Sequence, residues 1–330
     1  MTISWGIIGP GRIAANVAGD FAQVPDAQLT AVASRSPDRA RSFAAGHDIP
    51  TAYGSYRELI DAPDVDVVYI ATPHPQHHAI AVAALRAGKA VLVEKAFTAT
   101  LAGAQDIVAV ARETGVFAME AMWTRFQPAV ARARELVAQG AIGEVRSVQA
   151  DLGVTRDFDP SDRIFAHELG GGATLDLAVY PASFAQWFLG NPDSVTACGS
   201  LEPSGVDAGV SILLGYDDGR NATLMTSLHS PMPGHARIFG TTGWIDVRPR
   251  FHHPTEIVLH LGSEEPQSLV LPPTGNGYAH EIAEVTGCLA AGRTESAIMP
   301  LADSVAVQAI LQQCLDQLGV SFAEDPDALG

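Results

Sequence analysis

Three short stretches of the chain carry residue types and spacings that could do chemistry. The first is Gly9-Pro10-Gly11-Arg12-Ile13-Ala14, which reads GxGxxA. Glycine at the first position permits a tight turn, and at the second it lets the backbone approach a pyrophosphate. A small third residue lets the following helix pack closely on the strand. Gly9, Gly11, Arg12 and Ile13 are therefore candidates for a dinucleotide site. The second stretch is Glu94-Lys95, an adjacent acid and base that ends the apolar run Ala90-Val91-Leu92-Val93 and is followed at once by Ala96-Phe97. Charges closing a buried strand must be paired, neutralised or placed in a site. The third is Asp176 and Tyr180, whose spacing of four puts both on one face of a helix. They follow Gly170-Gly171-Gly172, where backbone can crowd a ligand.

These residues need elements to hold them. Over the first 120 or so positions, strand and helix patterns alternate. "SWGIIG", "LTAVAS", "VDVVYIAT", "AVLVE" and "VFAMEA" read as strands. Between them, "HHAIAVAALRAG" and residues 101–114 read as helices, the former ending at Gly88. Alternation of this kind predicts parallel βαβ units and a doubly wound sheet. In such a sheet, ligands bind beyond the carboxyl ends of the strands. "GPGRIA", "ATPHPQHH" and "VEKAF" all fall there, so Glu94 and Lys95 are expected to face a cofactor crevice. After about residue 122 the rhythm changes. Helices are expected near 128–139 and 172–188. Between 194 and 271 short strands follow one another with tight turns, which implies a mostly antiparallel sheet. Two helices close the chain, near 279–291 and 301–318. The expectation is an α/β chain in two parts: residues 1–121 as a dinucleotide-binding domain with a doubly wound parallel sheet, and residues 122–330 as a second, α+β domain.

The end of the second strand bears on cofactor choice. A ligand such as NAD calls for Asp or Glu there, to accept from the ribose 2′-OH. The chain has Ser34 and Arg35 instead, with Arg39 close behind. A hydroxyl and a guanidinium suit a 2′-phosphate, so NADP is favoured over NAD.

Composition excludes several classes. The chain has 330 residues, 47% hydrophobic and 17% charged, with a net charge of −17. A pI near 4.9 with no basic run opposes nucleic-acid binding. No apolar stretch is long enough to span a membrane. Cys198, Cys288 and Cys314 form no CxxC pair. Their odd number and spacing suggest buried thiols in a reducing compartment, and no secretory leader is read at the N-terminus. Cytoplasmic location is the expectation. No metal motif is read.

Taken together, "WGIIGPGRIA", "VDVVYIATPHPQHH", "GKAVLVEKAFT", "EAMWTRFQPA" and "GGGATLDLAVYP" resemble the Gfo/Idh/MocA oxidoreductase family. The likeness is to its branch of glucose–fructose oxidoreductase, D-xylose dehydrogenase and dimeric dihydrodiol dehydrogenase. It covers nearly the whole chain. It implies a Rossmann domain beside an open-sheet domain, often a homodimer formed through that sheet (a tetramer being the alternative), and a final helix, 301–318, that packs back on the first domain. The family's Glu-Lys-Pro motif falls on Glu94, Lys95 and Ala96, making Lys95 the catalytic lysine, with alanine in place of proline. Its Thr-Pro-Asn-x-x-His stretch falls on Thr72, Pro73, His74 and His77, which places Thr72 and His74 near the cofactor. For His77 and His78, helix capping or a solvated face stands against a place at the cofactor. Its Asp-x-x-x-His motif falls on Asp176 and Tyr180, with tyrosine for histidine, as that branch looks. Trp123, Arg125, Phe158, Arg163 and Phe165 become candidates for the substrate wall, with Tyr278 as a weaker one, although Trp123 and Phe126 also suit a core. An ordinary tyrosine is a poor base, and a lysine ammonium within a few ångströms would lower its pKa. Lys95 and Tyr180 would then pass the substrate hydroxyl's proton while hydride goes to nicotinamide. The implied activity is NADP-dependent oxidation or reduction at a secondary alcohol or hemiacetal of a sugar, polyol or trans-dihydrodiol. A non-catalytic nucleotide sensor and an NAD-assisted glycosidase are the rivals on this fold.

Overall fold

A computed structural model describes residues 2–329. The chain divides into two compact units, one of residues 1–121, 274–305 and 323–330, the other of 122–273 and 306–322.

The first unit begins with β1 (Ile3–Ile8), α1 (Arg12–Asp20), β2 (Ala27–Ala33), α2 (Pro37–Gly46), β3 (Thr51–Tyr53) and α3 (Tyr56–Ile60). It continues through β4 (Val67–Ile70), α4 (His74–Arg86), β5 (Ala90–Glu94), α5 (Leu101–Thr114) and β6 (Ala118–Ala121). All six strands run parallel in the order β3-β2-β1-β4-β5-β6. The expected doubly wound sheet is present. β3 and α3 are additions, too short for periodicity to reveal. β4 and β5 are buried along their whole length, which is why they read as unbroken apolar runs rather than as an alternation. On one face Val68, Ile70, Val91 and Val93 meet Ile80, Ala84 and Leu85 of α4 and Ile107 and Ala111 of α5. Local chemistry starts the helices. Ser36, Ser55 and Thr100 accept the backbone N–H three residues on and so cap α2, α3 and α5.

The second unit holds α6 (Pro128–Ala138), β7 (Val145–Gly153), α7 (Val179–Leu189), β8 (Ser194–Leu201), β9 (Asp207–Gly215), β10 (Asn221–Ser227), β11 (Ala236–Gly240), β12 (Gly243–Val247), β13 (Glu256–Leu261) and β14 (Gln267–Val270). Its eight strands lie in the order β14-β13-β12-β11-β7-β10-β9-β8. Every pairing is antiparallel except β7 with β10, which is parallel. Alternation is clear on β10, where Ala222, Leu224 and Thr226 are buried and Met225 is exposed. α7 covers the inner face against β7 and β10.

Two helices follow, α8 (Ala279–Ala290) and α9 (Leu301–Leu318). α8 returns to the first unit and packs on β1 and β2. Its start is held by Asp20, whose carboxylate accepts the backbone N–H of Asn276 (2.9 Å), Tyr278 (2.8 Å) and Ala279 (3.1 Å). An acid at a helix N-terminus satisfies donors that the helix itself cannot. α9 gives residues up to Val305 to the first unit, and from Ala306 onward it groups with the second. Cys288 and Cys314 are buried, but Cys198 is exposed. It lies on β8, a strand at the edge of the sheet whose residues are mostly exposed on both faces, so the expectation that all three thiols are buried fails there. No helix among the described residues is long and apolar enough to cross a membrane.

Candidate active site

Because the first sheet is parallel, the carboxyl ends of its strands share one edge. Gly9 follows β1, Ser34 follows β2, Thr72 lies just beyond β4, and Lys95 follows β5. Gly9 has φ +89°, and a Cβ there would lie 2.9 Å from the carbonyl carbon and oxygen of Ala71. Only glycine fits where β1 and β4 part. Gly11 precedes the first residue of α1, and the nearest atom to a Cβ built on it is 4.0 Å away, so the space before the helix is clear. α1 has no acid in its first turn and offers its free N–H groups to an anion. Ala14 is fully buried, Ile13 is half-buried and Arg12 is exposed. The Thr72 hydroxyl is buried with no hydrogen-bond partner, an orphan that a bound cofactor would satisfy. At the end of β2, Ser34 is buried, its Oγ accepting from the Ser36 N–H at 3.2 Å. Arg35 and Arg39 are exposed beside it. Arg35 lies close enough to Tyr56 to oppose the rise that burial imposes on that hydroxyl's pKa. These residues fit a dinucleotide.

The end of β5 is built as a polar joint. Glu94 is buried, and it accepts from the Tyr69 hydroxyl at 2.6 Å and from the Lys95 N–H at 3.2 Å. Burial raises the pKa of Glu94, and the Lys95 charge opposes the rise. Lys95 itself is half-buried, and the Lys95–Ala96 peptide is cis. His74 places Nε2 3.3 Å from the Lys95 carbonyl. His77 is fully buried, with Nε2 2.8 Å from the Thr72 carbonyl and Nδ1 3.1 Å from that of Ala96. It staples the Thr72 loop to the Lys95–Ala96 corner and is not on a solvated face. Burial pulls its pKa down to about 4, so the ring is neutral and has one proton, suited to the closer carbonyl. His78 is the partly exposed one, paired with Asp106 on α5. One residue here went unseen in the sequence. Glu281 on α8 is fully buried with neither carboxyl oxygen partnered. Burial, then the charges of Glu94 and Asp20, push its pKa well above the usual range.

In the second unit, Asp176 sits on a π-helical turn, Thr174–Ala178, that runs directly into α7, where Tyr180 is the second residue. Arg163 forms an ion pair with Asp176. The Tyr180 ring lies 5.0 Å from that of His252. Trp123 packs against both His252 and His253, at 6.1 and 5.5 Å between centroids. Those two histidines were also missed, and the adjacent pair in the "FHHP" loop after β12 was the available signal. Phe158 is 41% exposed and meets the buried Phe165 edge-on. Arg125 is 1% exposed and donates to Ser183 Oγ at 3.1 Å and to Gln186 Oε1 at 2.7 Å. Those bonds brace α7 from within the unit. Tyr278 falls in the first unit, at the start of α8, and is mostly buried. Thus Gly9, Ser34, Thr72, His74, His77, Glu94 and Lys95 come together in one unit, and Trp123, Arg163, Asp176 and Tyr180 belong to the other.

Comparison with known proteins places the chain among relatives. Residues 3–122 match the model of an oxidoreductase family with an NAD-binding Rossmann fold, and residues 130–246 match the GFO/IDH/MocA C-terminal domain. The chain is 38% identical to a trans-1,2-dihydrobenzene-1,2-diol dehydrogenase of Xenopus tropicalis, covering 98% of this chain and 100% of that protein. It is 37% identical to the mouse enzyme of the same name, over 98% and 99%. Among solved structures, an aldose-aldose oxidoreductase from Caulobacter crescentus matches with a TM-score of 0.87 at 26% identity, covering 97% and 98%. A 3-ketoreductase from Actinomadura kijaniata in complex with NADP and TDP-benzene matches at 0.84 and 28%, covering 99% and 100%.

Proposed function

The chain belongs to the GFO/IDH/MocA oxidoreductase family, and from that premise we propose that it oxidises a trans-dihydrodiol, or a sugar or polyol of similar layout, with NADP. Its activity class is that of an NAD(P)-dependent dehydrogenase acting on CH–OH groups. The finer reading rests on one observation above others. The edge where β1, β4 and β5 end carries a glycine no other residue could replace, a buried threonine hydroxyl awaiting a partner, and a half-buried lysine. Gly9, Gly11 and the start of α1 would hold the pyrophosphate, Thr72 and His74 would lie toward the nicotinamide half, and Ser34, Arg35 and Arg39 toward a 2′-phosphate. When bound, the nicotinamide supplies the hydride acceptor. The chain's own residues have the remaining work. Tyr180 takes the proton of the substrate hydroxyl, Asp176 with Arg163 orients the diol, and Lys95 supplies the ammonium at the cofactor edge. Glu94, fixed by Tyr69, keeps the Lys95 backbone in place.

The relatives matched over their whole length are named as dehydrogenases, which disfavours both a nucleotide sensor and a glycosidase. Three free thiols fit a reducing cytoplasm. The test is absorbance at 340 nm with NADP⁺ and then NAD⁺ over a panel of trans-dihydrodiols, aldoses and inositols. Turnover of at least one diol with NADP⁺ is expected. Cofactor binding without turnover of any polyol would turn the reading to a sensor, and release of nitrophenol from a glycoside would turn it to a glycosidase.

A further inference from the structure

The π-helical turn that carries Asp176 has a support that the proposed chemistry does not mention. Asp207, the first residue of β9, is fully buried. One of its oxygens accepts both the Thr174 N–H, at 2.7 Å, and the Thr174 hydroxyl, at 2.8 Å. Thr174 opens the turn and is itself fully buried. The glycines before it are shaped to this contact. Gly172 has φ +107°, and a Cβ on it would collide with the second carboxyl oxygen of Asp207. Gly171 lies so close to the Ile164 carbonyl that it too admits no Cβ, and the Gly172 N–H donates to that carbonyl at 2.8 Å. A carboxylate, two glycines and a threonine hydroxyl therefore fix the phase of the turn. A π turn holds one residue more than an α turn between bonded groups, costs stability, and tends to persist where it aims a side chain.

We propose that Asp207 is a positioning residue for the reaction: by pinning Thr174 it sets the register of the π-helical turn, and hence where Asp176 and Tyr180 stand. The inference rests on the reading that Asp176 and Tyr180 serve the substrate. It differs from that reading in that Asp207 is fully buried and its Oδ2 is taken by Thr174.

The anchor is also a titratable one. Burial lifts the Asp207 carboxyl to about 6, the two Thr174 bonds opposing the rise. Its second oxygen has no partner. The groups that face it are Asp176 from the turn, whose charge adds to the rise, and Cys314 from α9. The Cys314 thiol is pushed up to about 12, first by burial and then by the Asp207 charge, so it stays neutral. On protonation Asp207 becomes a weaker acceptor for Thr174. The anchor is then tight above about pH 6 and slack below it.

The experiment uses the whole protein and three variants, Asp207→Asn, Asp207→Ala and Thr174→Val. Steady-state kinetics across pH 5–9 are read beside NADPH titration by fluorescence and hydrogen exchange of the peptide spanning residues 172–180. Asp207→Ala should lower kcat by about tenfold to a hundredfold, the scale expected of a small misplacement. The NADPH dissociation constant should stay within about twofold of wild type, because the cofactor residues lie in the other unit. Protection of residues 172–180 should fall. Asp207→Asn keeps an oxygen for Thr174 and does not titrate, so it should restore most of kcat and lose an acid limb near pH 6. Thr174→Val removes one of the two bonds and should lie between. Full kcat with unchanged exchange in Asp207→Ala would overturn the proposal. If that variant does not fold, an Asp207→Asn enzyme with an undisturbed acid limb, together with a Thr174→Val enzyme of wild-type kcat, would overturn it. A wild-type protein that turns over no substrate would sink the dehydrogenase reading alone, and the exchange measurement would still decide whether Asp207 anchors the turn.

Discussion

Lys95 leaves β5 half-buried, with Glu94 beneath it tied to Tyr69 and His74 and His77 gripping the carbonyls on either side of the Lys95–Ala96 peptide. So much scaffolding for one ammonium suits a residue whose position matters more than its mere charge. Lys95 and Tyr180 belong to different units, so their coupling is tested directly by a double-mutant cycle. Lys95→Met and Tyr180→Phe should each lower kcat by about a hundredfold or more, and the double variant should fall little further, because groups that act as one device are non-additive. NADPH affinity should hold in Tyr180→Phe. A Tyr180→Phe enzyme with wild-type kcat would remove tyrosine from the proton path. His77 would be a poor replacement, since its ring is sealed between two carbonyls and its pKa is held down near 4. Arg35 decides a different question. With no carboxylate at the end of β2, kcat/KM for NADP should exceed that for NAD by at least about tenfold, roughly 1.4 kcal/mol. Arg35→Asp should erase or reverse the preference. Equal use of both cofactors by the wild type would count against the 2′-phosphate contact.

α8 lies far from the Rossmann strands in sequence, yet it packs on β1 and β2, begins at Asp20, and buries Glu281 beside Glu94 and Asp20. Neighbouring carboxyls in a low-dielectric interior cannot all ionise. Glu281, with no hydrogen-bond partner and its pKa pushed well above the usual range by burial, is the one most favoured to hold a proton. The sign follows from linkage. A carboxyl whose folded pKa lies above its unfolded value adds stability in full below the unfolded value, about 4.5, and loses it as pH rises toward the folded value. Glu281→Gln copies the protonated shape and does not titrate. The variant should therefore gain on wild type as pH rises from 5.5 to 8.5, by more than about 1 kcal/mol over that span. Thermal or urea unfolding at both pH values measures it. A difference that does not change with pH would mean that Glu281 is ionised in the folded protein.

At the scale of the molecule, the outer face of the second sheet leaves Leu213 and Met225 about half exposed on neighbouring strands, around a shallow depression of about 290 Å³ lined by Gln149, Ser211, Thr223 and Arg237. An open sheet face with apolar side chains among polar ones suits a self-complementary interface. A homodimer is expected by light scattering at micromolar concentration, and Leu213→Lys with Met225→Lys should shift it toward monomer. A wild-type monomer at that concentration would count against the dimer. Much of the molecule was legible beforehand. The βα alternation, the Gly9 turn and the late run of strands all follow from periodicity and glycine conformation, which act between near neighbours and so are written locally. The parallel pairing of β7 with β10, the return of α8 to the first unit, the burial of Arg125 and His77, and the orphaned carboxyl of Glu281 are of another kind. They depend on partners far apart in the chain, as Asp20 is from Ala279 and Asp207 from Thr174. A polar residue's type says that it needs a partner, but only the folded chain, by deciding which surfaces exclude water, supplies one or leaves it without.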